Sequence, residues 1–595
     1  MQKYSVNQCQ ISNLLSWLKA GHITLPEIQR PFVWETTKIR DLIDSLYRGY
    51  PIGYIIIWQN PEIRLKKGGT SRGQKIIIDG QQRITAMEAA IVGQPIINKK
   101  YKEIRVCISF NPQTEEFKTR TAVTAKETEW IEDIAVLMQD DASFFDVIDA
   151  YIKRNPAADK KLVQKNIQKL VGIKAKQIGM IELDASLDIE TVTEIFIRIN
   201  SKGVVLGQAD FVMSKVAAYG IFGSNLRKLI DYFCHLAVAP EFYKYISVND
   251  AEFAVTPYLD KIAWLRNETD DLYDPNHNDL IRTVTLKEFE RGKTGDLVSL
   301  LAGRDFETRE YKEEIVKKSF KKLEKGVLDF VNETNFKRFV MIIKSAGYIT
   351  KEMITAQNAL NFAYGIFLKL REMRIANAAI ESAVRRWFVM SMLTGRHSGS
   401  FEARFEADIK RIKSVGIKEH LKSIEEGELT DGFWNVRLVQ ELEKSSIRNP
   451  YINVFFAGQV YANDRGFLSK DIKVRDMLEL AGDIHHVFPR AYLIKHGFSK
   501  TYYNQIANYV QTQTEINIAI SSKEPRVYMR EVLEQVKGGK DKYGNIRNER
   551  ALRKNLRQNC IPEMIFEARY NNYDVFLDER RRLMAKKIEK YYKNL

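Results

Sequence analysis

Apolar positions along this chain change their period several times, and each change marks an element. Ile11, Leu14, Leu15 and Leu18 recur at helical spacing and predict a short amphipathic helix over 10–20. Helical spacing resumes over 36–48 and stops at Gly49. Tyr54 to Trp58 is a β-forming run, and so is Ile76-Ile77-Ile78, which leads straight into Asp79-Gly80-Gln81-Gln82-Arg83. Ile84, Met87, Ala90 and Ile91 then return to the helical period. A helical insert comes next, with one stretch from Trp130 to Tyr151 and a lysine-rich one from Asp159 to Lys176. Ile178 to Leu183 predicts a strand and Ile189 to Ile199 a helix. From 216 to about 445 the pattern is mostly helical, as in Glu313–Val331, Glu352–Arg374 and Ala376–Leu393. Residues 446–480 read as loop-rich, with Val474–Leu480 able to pack on the strands after it. Ile484, Val487 and Phe488 predict a short strand ended by Pro489, and Tyr509 and Val510 a second one. Thr514 to Ser522 can form a helix with Thr514 as its cap.

The predicted fold class is therefore α+β and multidomain. A mixed α/β domain occupies 1–215, a helical connector 216–445, and a smaller strand–strand–helix domain with a basic tail 446–595. The hydrophobic share of 45% supports packed cores in each.

Charge narrows the partners. A net charge of +16 favours an acidic partner, nucleic acid or a membrane surface. No apolar run reaches transmembrane length, and the opening MQKYSVNQCQ is not a signal peptide, so the expectation is a cytoplasmic protein without a membrane partner. Cys9, Cys107, Cys234 and Cys560 stand far apart, which suits a reducing compartment and excludes a zinc ribbon.

Two stretches carry chemistry. In the first, strand, glycine turn and helix aim backbone N–H groups at an anion. Gly80 permits the tight turn, Arg83 can grip a phosphate, and Asp79 can hold a metal ion or position water. A capped helix with an exposed arginine is the plain alternative. The run Lys66 to Lys75 is not a phosphate loop, because its lysine is one place late and its strand follows it; it reads as a mobile basic hairpin. In the second stretch Asp483, His485 and His486 precede Pro489, and Asn508 and Asn517 lie downstream. Two strands and a helix bring the histidines and both asparagines together, a set able to bind a divalent ion and activate water against a phosphodiester. Adjacent strand residues face opposite ways, so the two histidines share a site only at a strand end or bulge.

Smaller signals leave two readings each. Arg385, Arg386 and Trp387 precede the loop Gly395–Ser400, which carries Arg396 and His397; this suits a nucleic-acid backbone or modified base, or else a helix-end loop with Trp387 in the core. Gly538 to Arg557 and the tail Asp574 to Leu595, with Arg580, Arg581, Arg582, Lys586 and Lys587, suit duplex phosphates, or a solvated helix or oligomer contact.

The pattern D-x-H-H-x-x-P, then N, then N nine residues later resembles an HNH (ββα-metal) nuclease. The resemblance implies that His486 is the general base. His485 and Asn517 would hold the metal, with Asp483 either a third ligand or a residue behind the ligands, and Asn508 would fix the loop and the orientation of His486. Many family members have a carboxylate where this chain has His485, which bears on the choice among magnesium, manganese and nickel. The blocks PEIQRPFVWE, IIIDGQQRITAM and FIRINSKGVVLGQADFVMSKV resemble the ParB/sulfiredoxin-like DGQQR domain that opens the GmrSD-type modification-dependent restriction proteins. They match through Gln29, Arg30 and Trp34, through Asp79, Gly80, Gln81, Gln82 and Arg83, and through Arg198, Asn200, Ser201, Lys202 and Gly203. The resemblance implies that Gln29, Arg30, Asp79, Gly80, Gln81, Gln82, Arg83, Arg198, Asn200 and Lys202 bind a nucleoside triphosphate, with Asp79 and Arg83 active in its hydrolysis. The implied protein is an anti-phage endonuclease cutting double-stranded, modified phage DNA, with a homo-oligomer compatible. Two other readings stand beside it: a nucleotide-gated DNA-binding regulator with a non-cleaving HNH fold, and an HNH enzyme acting on RNA.

Overall fold

The structure is a computed structural model. It describes the chain except for residues 1–2, 25–33, 60–74, 98–102, 122–123, 125–126, 140–142, 185, 188–190, 193–194, 196–207, 218, 446–448 and 481–483. Two compact units divide it, Met1–Thr256 and Pro257–Leu595. The architecture is α+β and mostly helical, with small sheets.

The first unit is built on a sheet. Strand β1 (Tyr4–Gln10) leads into helix α1 (Ile11–Lys19), then β2 (Ile23–Thr24), α2 (Thr36–Arg48), β3 (Ile55–Gln59), β4 (Lys75–Asp79) and α3 (Gln81–Met87). After the insert, with helices α4 (Phe144–Arg154) and α5 (Lys160–Val171), β5 (Gln177–Leu183) returns to the same sheet. The strand order is β1-β5-β3-β4-β2. β1 pairs antiparallel with β5, β3 parallel with β5 and antiparallel with β4, and β2 parallel with β4. Consecutive residues of β3 feed opposite faces, as the period of a strand requires. Ile55 and Ile57 enter a large core with Ile77, Ile84 and Met87, whereas Ile56 and Trp58 enter a small one with Leu183 and Leu187. The continuous isoleucine runs thus report a sheet covered on both sides.

Helix and strand expectations in this unit mostly match these elements. The stretch expected as helical from Trp130 breaks into a 3₁₀ turn (Ile134–Met138) and α4. Residues 66–74 of the expected basic hairpin and most of the Ile189–Ile199 helix lie outside the described residues, while Lys75 begins β4 and pairs with Glu182 at 2.8 Å. Two lysines of the basic segment 159–176 have partners within the fold: Lys169 pairs with Glu115 at 2.6 Å on the surface, and the half-buried Lys176 donates to the Leu46 and Tyr47 carbonyls at the end of α2.

In the second unit, α6 (Gln357–Glu372) and α7 (Asn377–Thr394) lie in a helical core. The region expected to be loop-rich holds instead a helix, α8 (Pro450–Tyr461), started by an Asn449 cap with Pro450 in its first turn. Its residues from Tyr451 to Val460 are buried. A helix enclosed on all sides shows no polar stripe, so periodicity could not reveal it. Beyond it come α9 (Val474–Glu479), β6 (Ile484–His486), α10 (Arg490–Lys495), β7 (Tyr509–Gln511), α11 (Thr514–Ile520), α12 (Glu549–Gln558) and α13 (Tyr573–Lys593). Gln513, not Thr514, stands at the cap position of α11.

The Gly395–Ser400 loop takes the core reading. Trp387 is fully buried and stacks on Phe362, as does His397, which is 2% exposed. Arg396 binds Asp408 through two bonds of 2.9 and 2.6 Å, and His420 Nε2 stands 3.0 Å from the same carboxylate. Burial pushes the His397 pKa down to about 3. The imidazole is neutral in the folded state, while the unfolded chain takes up a proton near 6.5. Its contribution is complete above pH 6.5 and is lost as pH falls toward 3. At pH 4.5 the parent is expected to lose about 2–3 kcal/mol through this group. His397→Phe keeps an aromatic ring in the stack and removes that loss. Urea denaturation of both proteins at pH 7.5 and 4.5 checks it.

Candidate functional site

The DGQQR turn is shaped by two glycines and a bulge. β3 and β4 shift register between Ile56 and Ile57, directly opposite the end of β4, and Asp79 is the residue that ends that strand. Bulges re-aim side chains at such places. Gly80 then adopts φ +93°, and a Cβ on it would lie 2.4 Å from Ile55 Cδ1. Gly53, at φ +86°, would place a Cβ 2.4 Å from Arg83 Nη1. Both backbones lie in the left-handed region that favours glycine, and a side chain at Gly53 would also push the Arg83 guanidinium from its place. The room goes to Arg83, which donates to Asp79 Oδ2 at 2.8 Å and to the Ile52 carbonyl at 3.0 Å. Gln81 donates back to Ile77 O at 3.0 Å, and Gln82 is half-buried. Arg83 also borders an open depression of about 250 Å³, whose wall includes Trp34, Lys38, Leu42 and Ile52. An anion here competes with Asp79 for the guanidinium, and a cation competes with Arg83 for the carboxylate. Gln29, Arg30, Arg198, Asn200 and Lys202 lie outside the described residues.

The second site is built on the β6–β7 hairpin. His485 pairs across it with Val510 and His486 with Tyr509, and His486 is the residue at which the strand ends. Asn508 is fully buried. Its Oδ1 accepts from the Phe488 N–H at 2.8 Å, and its Nδ2 donates to Phe488 O at 3.1 Å and Tyr503 O at 3.0 Å. Its own carbonyl accepts from the Val487 N–H at 2.8 Å. One amide therefore fixes the loop that leaves His486. The imidazole itself meets a different residue, Asn504, whose Oδ1 is 2.9 Å from His486 Nε2. Burial lowers the His486 pKa, Arg490 and His485 push it the same way, and the Asn504 bond opposes them. The ring is thus neutral at pH 7, as a proton acceptor must be.

Support comes from behind. Tyr528, fully buried, donates to Val487 O at 2.9 Å. Phe488 packs between Tyr573 and Phe576 of α13. From the same helix Arg580, with no exposed surface, donates to Ala507 O and Tyr509 O at 2.7 Å each and to Asn559 O at 3.3 Å. Burial draws its pKa down to about 10, so it stays charged at neutral pH. Three of the five tail cations named above have partners within the fold: Arg580 points into the core, Arg581 reaches Gln505, and Lys587 pairs with Asp464. Arg582 and Lys586 remain exposed.

Asn517 lies on α11, partly exposed, and Asp483 lies outside the described residues. Among the described residues no three His, Cys, Asp or Glu side chains converge as a metal site. Sequence reasoning missed Asn504 and the role of Arg580. Only the second left a signal: Tyr573, Phe576, Leu577, Arg580, Met584 and Ile588 share one helical stripe, which puts Arg580 among apolar residues.

Residues 11–217 match the family model for the N-terminal domain of the GmrSD restriction endonucleases, which supports a protein of that restriction type. An uncharacterized protein of Methanocaldococcus jannaschii is 23% identical over 97% of this chain and 98% of its own length. No helix among the described residues is long and apolar enough to cross a membrane.

Arg580→Met strips a buried charge from three carbonyls. The expected loss is on the order of 3–5 kcal/mol in the stability of the second unit. Arg582→Ala, at an exposed surface pair with Asp578, should stay within about 0.5 kcal/mol of the parent. Thermal denaturation followed by circular dichroism compares the two.

Proposed function

We propose that this protein is a metal-dependent DNA endonuclease of anti-phage defence, with hydrolysis at the β6–β7 hairpin and a regulatory nucleotide site at the DGQQR turn. The observation that carries the reading is His486: neutral, at a strand end, and held by an amide beside a loop pinned through Asn508. The match of residues 11–217 to a restriction endonuclease domain supports DNA as the partner.

In this reading His486 takes a proton from the attacking water, and Asn508 keeps the loop from drifting as it does so. His485, Asn517 and Asp483 are the residues to hold a divalent ion, with water completing its shell. By donor chemistry an imidazole and an amide oxygen would suit manganese or nickel better than magnesium. When bound, such an ion supplies Lewis-acid charge at the scissile phosphate. At the other site Arg83 grips a nucleoside triphosphate once released from Asp79, and the family resemblance gives Gln29, Arg30, Gln81, Gln82, Arg198, Asn200 and Lys202 a part in binding it. Recognition of modified phage DNA rests on the family resemblance, as does the restraint that spares host DNA.

His486→Ala is expected to cut duplex DNA about 10²–10⁴-fold more slowly with DNA affinity kept. EDTA should stop cleavage, and excess manganese should restore part of the activity of His485→Ala. Gel assays on matched plain and modified DNA, and on RNA, measure all of this. Binding of DNA without cleavage under every metal would favour the regulator reading instead.

Asp79→Ala and Arg83→Ala should abolish nucleotide hydrolysis while the far-ultraviolet circular dichroism stays unchanged. Calorimetry with each of the four triphosphates tests whether the parent binds any of them; no binding removes the nucleotide site.

A further inference from the structure

The resemblance makes Asn508 both the loop anchor and the residue that orients His486, yet among the described residues Asn508 bonds only to backbone and the imidazole meets Asn504 instead. The structure separates these tasks. Asn504 stands just past the short helix Lys500–Tyr503, four residues before Asn508 and outside the D-x-H-H-x-x-P … N … N pattern. Its Oδ1 lies 2.9 Å from His486 Nε2. An amide oxygen only accepts hydrogen bonds, so Nε2 carries the proton and Nδ1 carries the lone pair.

The contact is held in register from both ends by one side chain. Asn508 Nδ2 donates to Tyr503 O, adjacent to Asn504, and to Phe488 O, two residues beyond His486. Asn508 Oδ1 accepts from Phe488 N–H. A fully buried amide thus ties the segment bearing the imidazole to the segment bearing its acceptor. Tyr509 and Tyr503 flank the ring, with centroids 5.1 and 6.2 Å from it, and restrict its rotation. Nδ1 has no hydrogen bond to any described residue, which leaves it available to water.

We propose that Asn504 is a positioning residue that selects the Nε2–H tautomer of His486, making Nδ1 the atom that receives the proton of the attacking water. The proposal rests on the nuclease reading of His486. In the step, Nδ1 takes a proton from water while the water oxygen bonds to phosphorus. The bond from phosphorus to the departing sugar oxygen breaks, its electron pair leaves with that oxygen, and that oxygen is protonated by solvent. The imidazolium keeps its Nε2–H on Asn504 throughout and returns the Nδ1 proton to solvent.

The test reads the tautomer without reading activity. Full-length protein labelled with ¹⁵N-histidine is examined by NMR at pH 7.5 with no metal added, and the His486 signals are assigned by their loss in His486→Gln. The expected result is a pyridine-type nitrogen at Nδ1 in the parent. Asn504→Asp keeps an acceptor and should keep this signature, whereas Asn504→Ala should give averaged signals from both tautomers. In parallel, Asn504→Ala should lower kcat for DNA cleavage by about tenfold with KM changed by less than about twofold. A pyridine-type Nε2 in the parent overturns the proposal, because the amide would then be donating. Unchanged tautomer and kcat in Asn504→Ala overturn it as well. If the tautomer depends on Asn504 but His486→Ala cleaves at the parental rate, the nuclease reading has failed, and Asn504 has no part in the reaction. If His486→Ala is inactive and the tautomer ignores Asn504, the nuclease reading stands and only this assignment falls.

Discussion

Inside a protein a polar group that leaves water must find partners, and Asn508 shows how much can depend on one that finds them all. Its oxygen and both amide protons are engaged, each to backbone. Water is excluded from the residue, so no solvent bond can replace any of the three. The peptide groups on either side of it are held in turn by the Arg580 guanidinium. The hairpin is only a few residues long on each strand and would be marginal alone. It is fixed because its loops are bonded to buried groups that have nowhere else to turn.

The turn at Asp79 obeys a different logic. Space there is reserved by glycines, and the reserved space is filled by an ion pair that an incoming ligand must open. Asp79 ends β4 and Arg83 lies in the first turn of α3, and their side chains are only 21% and 17% exposed. Leaving either charge alone in that setting is costly, so a ligand must bring a charge to replace the one it displaces. One site is held by buried hydrogen bonds, the other closed by an ion pair whose opening a ligand must offset.

Much of this was legible in the sequence, for identifiable reasons. β3 and β4 announced themselves as isoleucine runs, and the motif residues Asp79, Gly80, Arg83, His486 and Asn508 carried types and spacings that chemistry constrains. The features that were not legible depended on long-range partners. α8 is apolar all round and so shows no helical stripe. Asn504 looks like any polar residue in a turn until the hairpin brings His486 to it across 18 positions. Arg580 sits in a run of three arginines, and only the helical stripe distinguishes the one that faces inward. The basic tail invited an electrostatic reading because net charge is visible in a sequence and burial is not.

The Arg580 bonds also set an order of events. Tyr509 and Arg580 are 71 residues apart, and Ala507 and Arg580 73. A ribosome delivers the hairpin well before the helix that backs it. Until that helix has emerged, Phe488 lacks Tyr573 and Phe576, and the carbonyls beside Asn508 lack their cation. A nascent chain, or one cut short of residue 580, carries the complete H-H … N … N motif without the scaffold that aligns it. Synthesis itself thus withholds the assembled centre until most of the second unit exists.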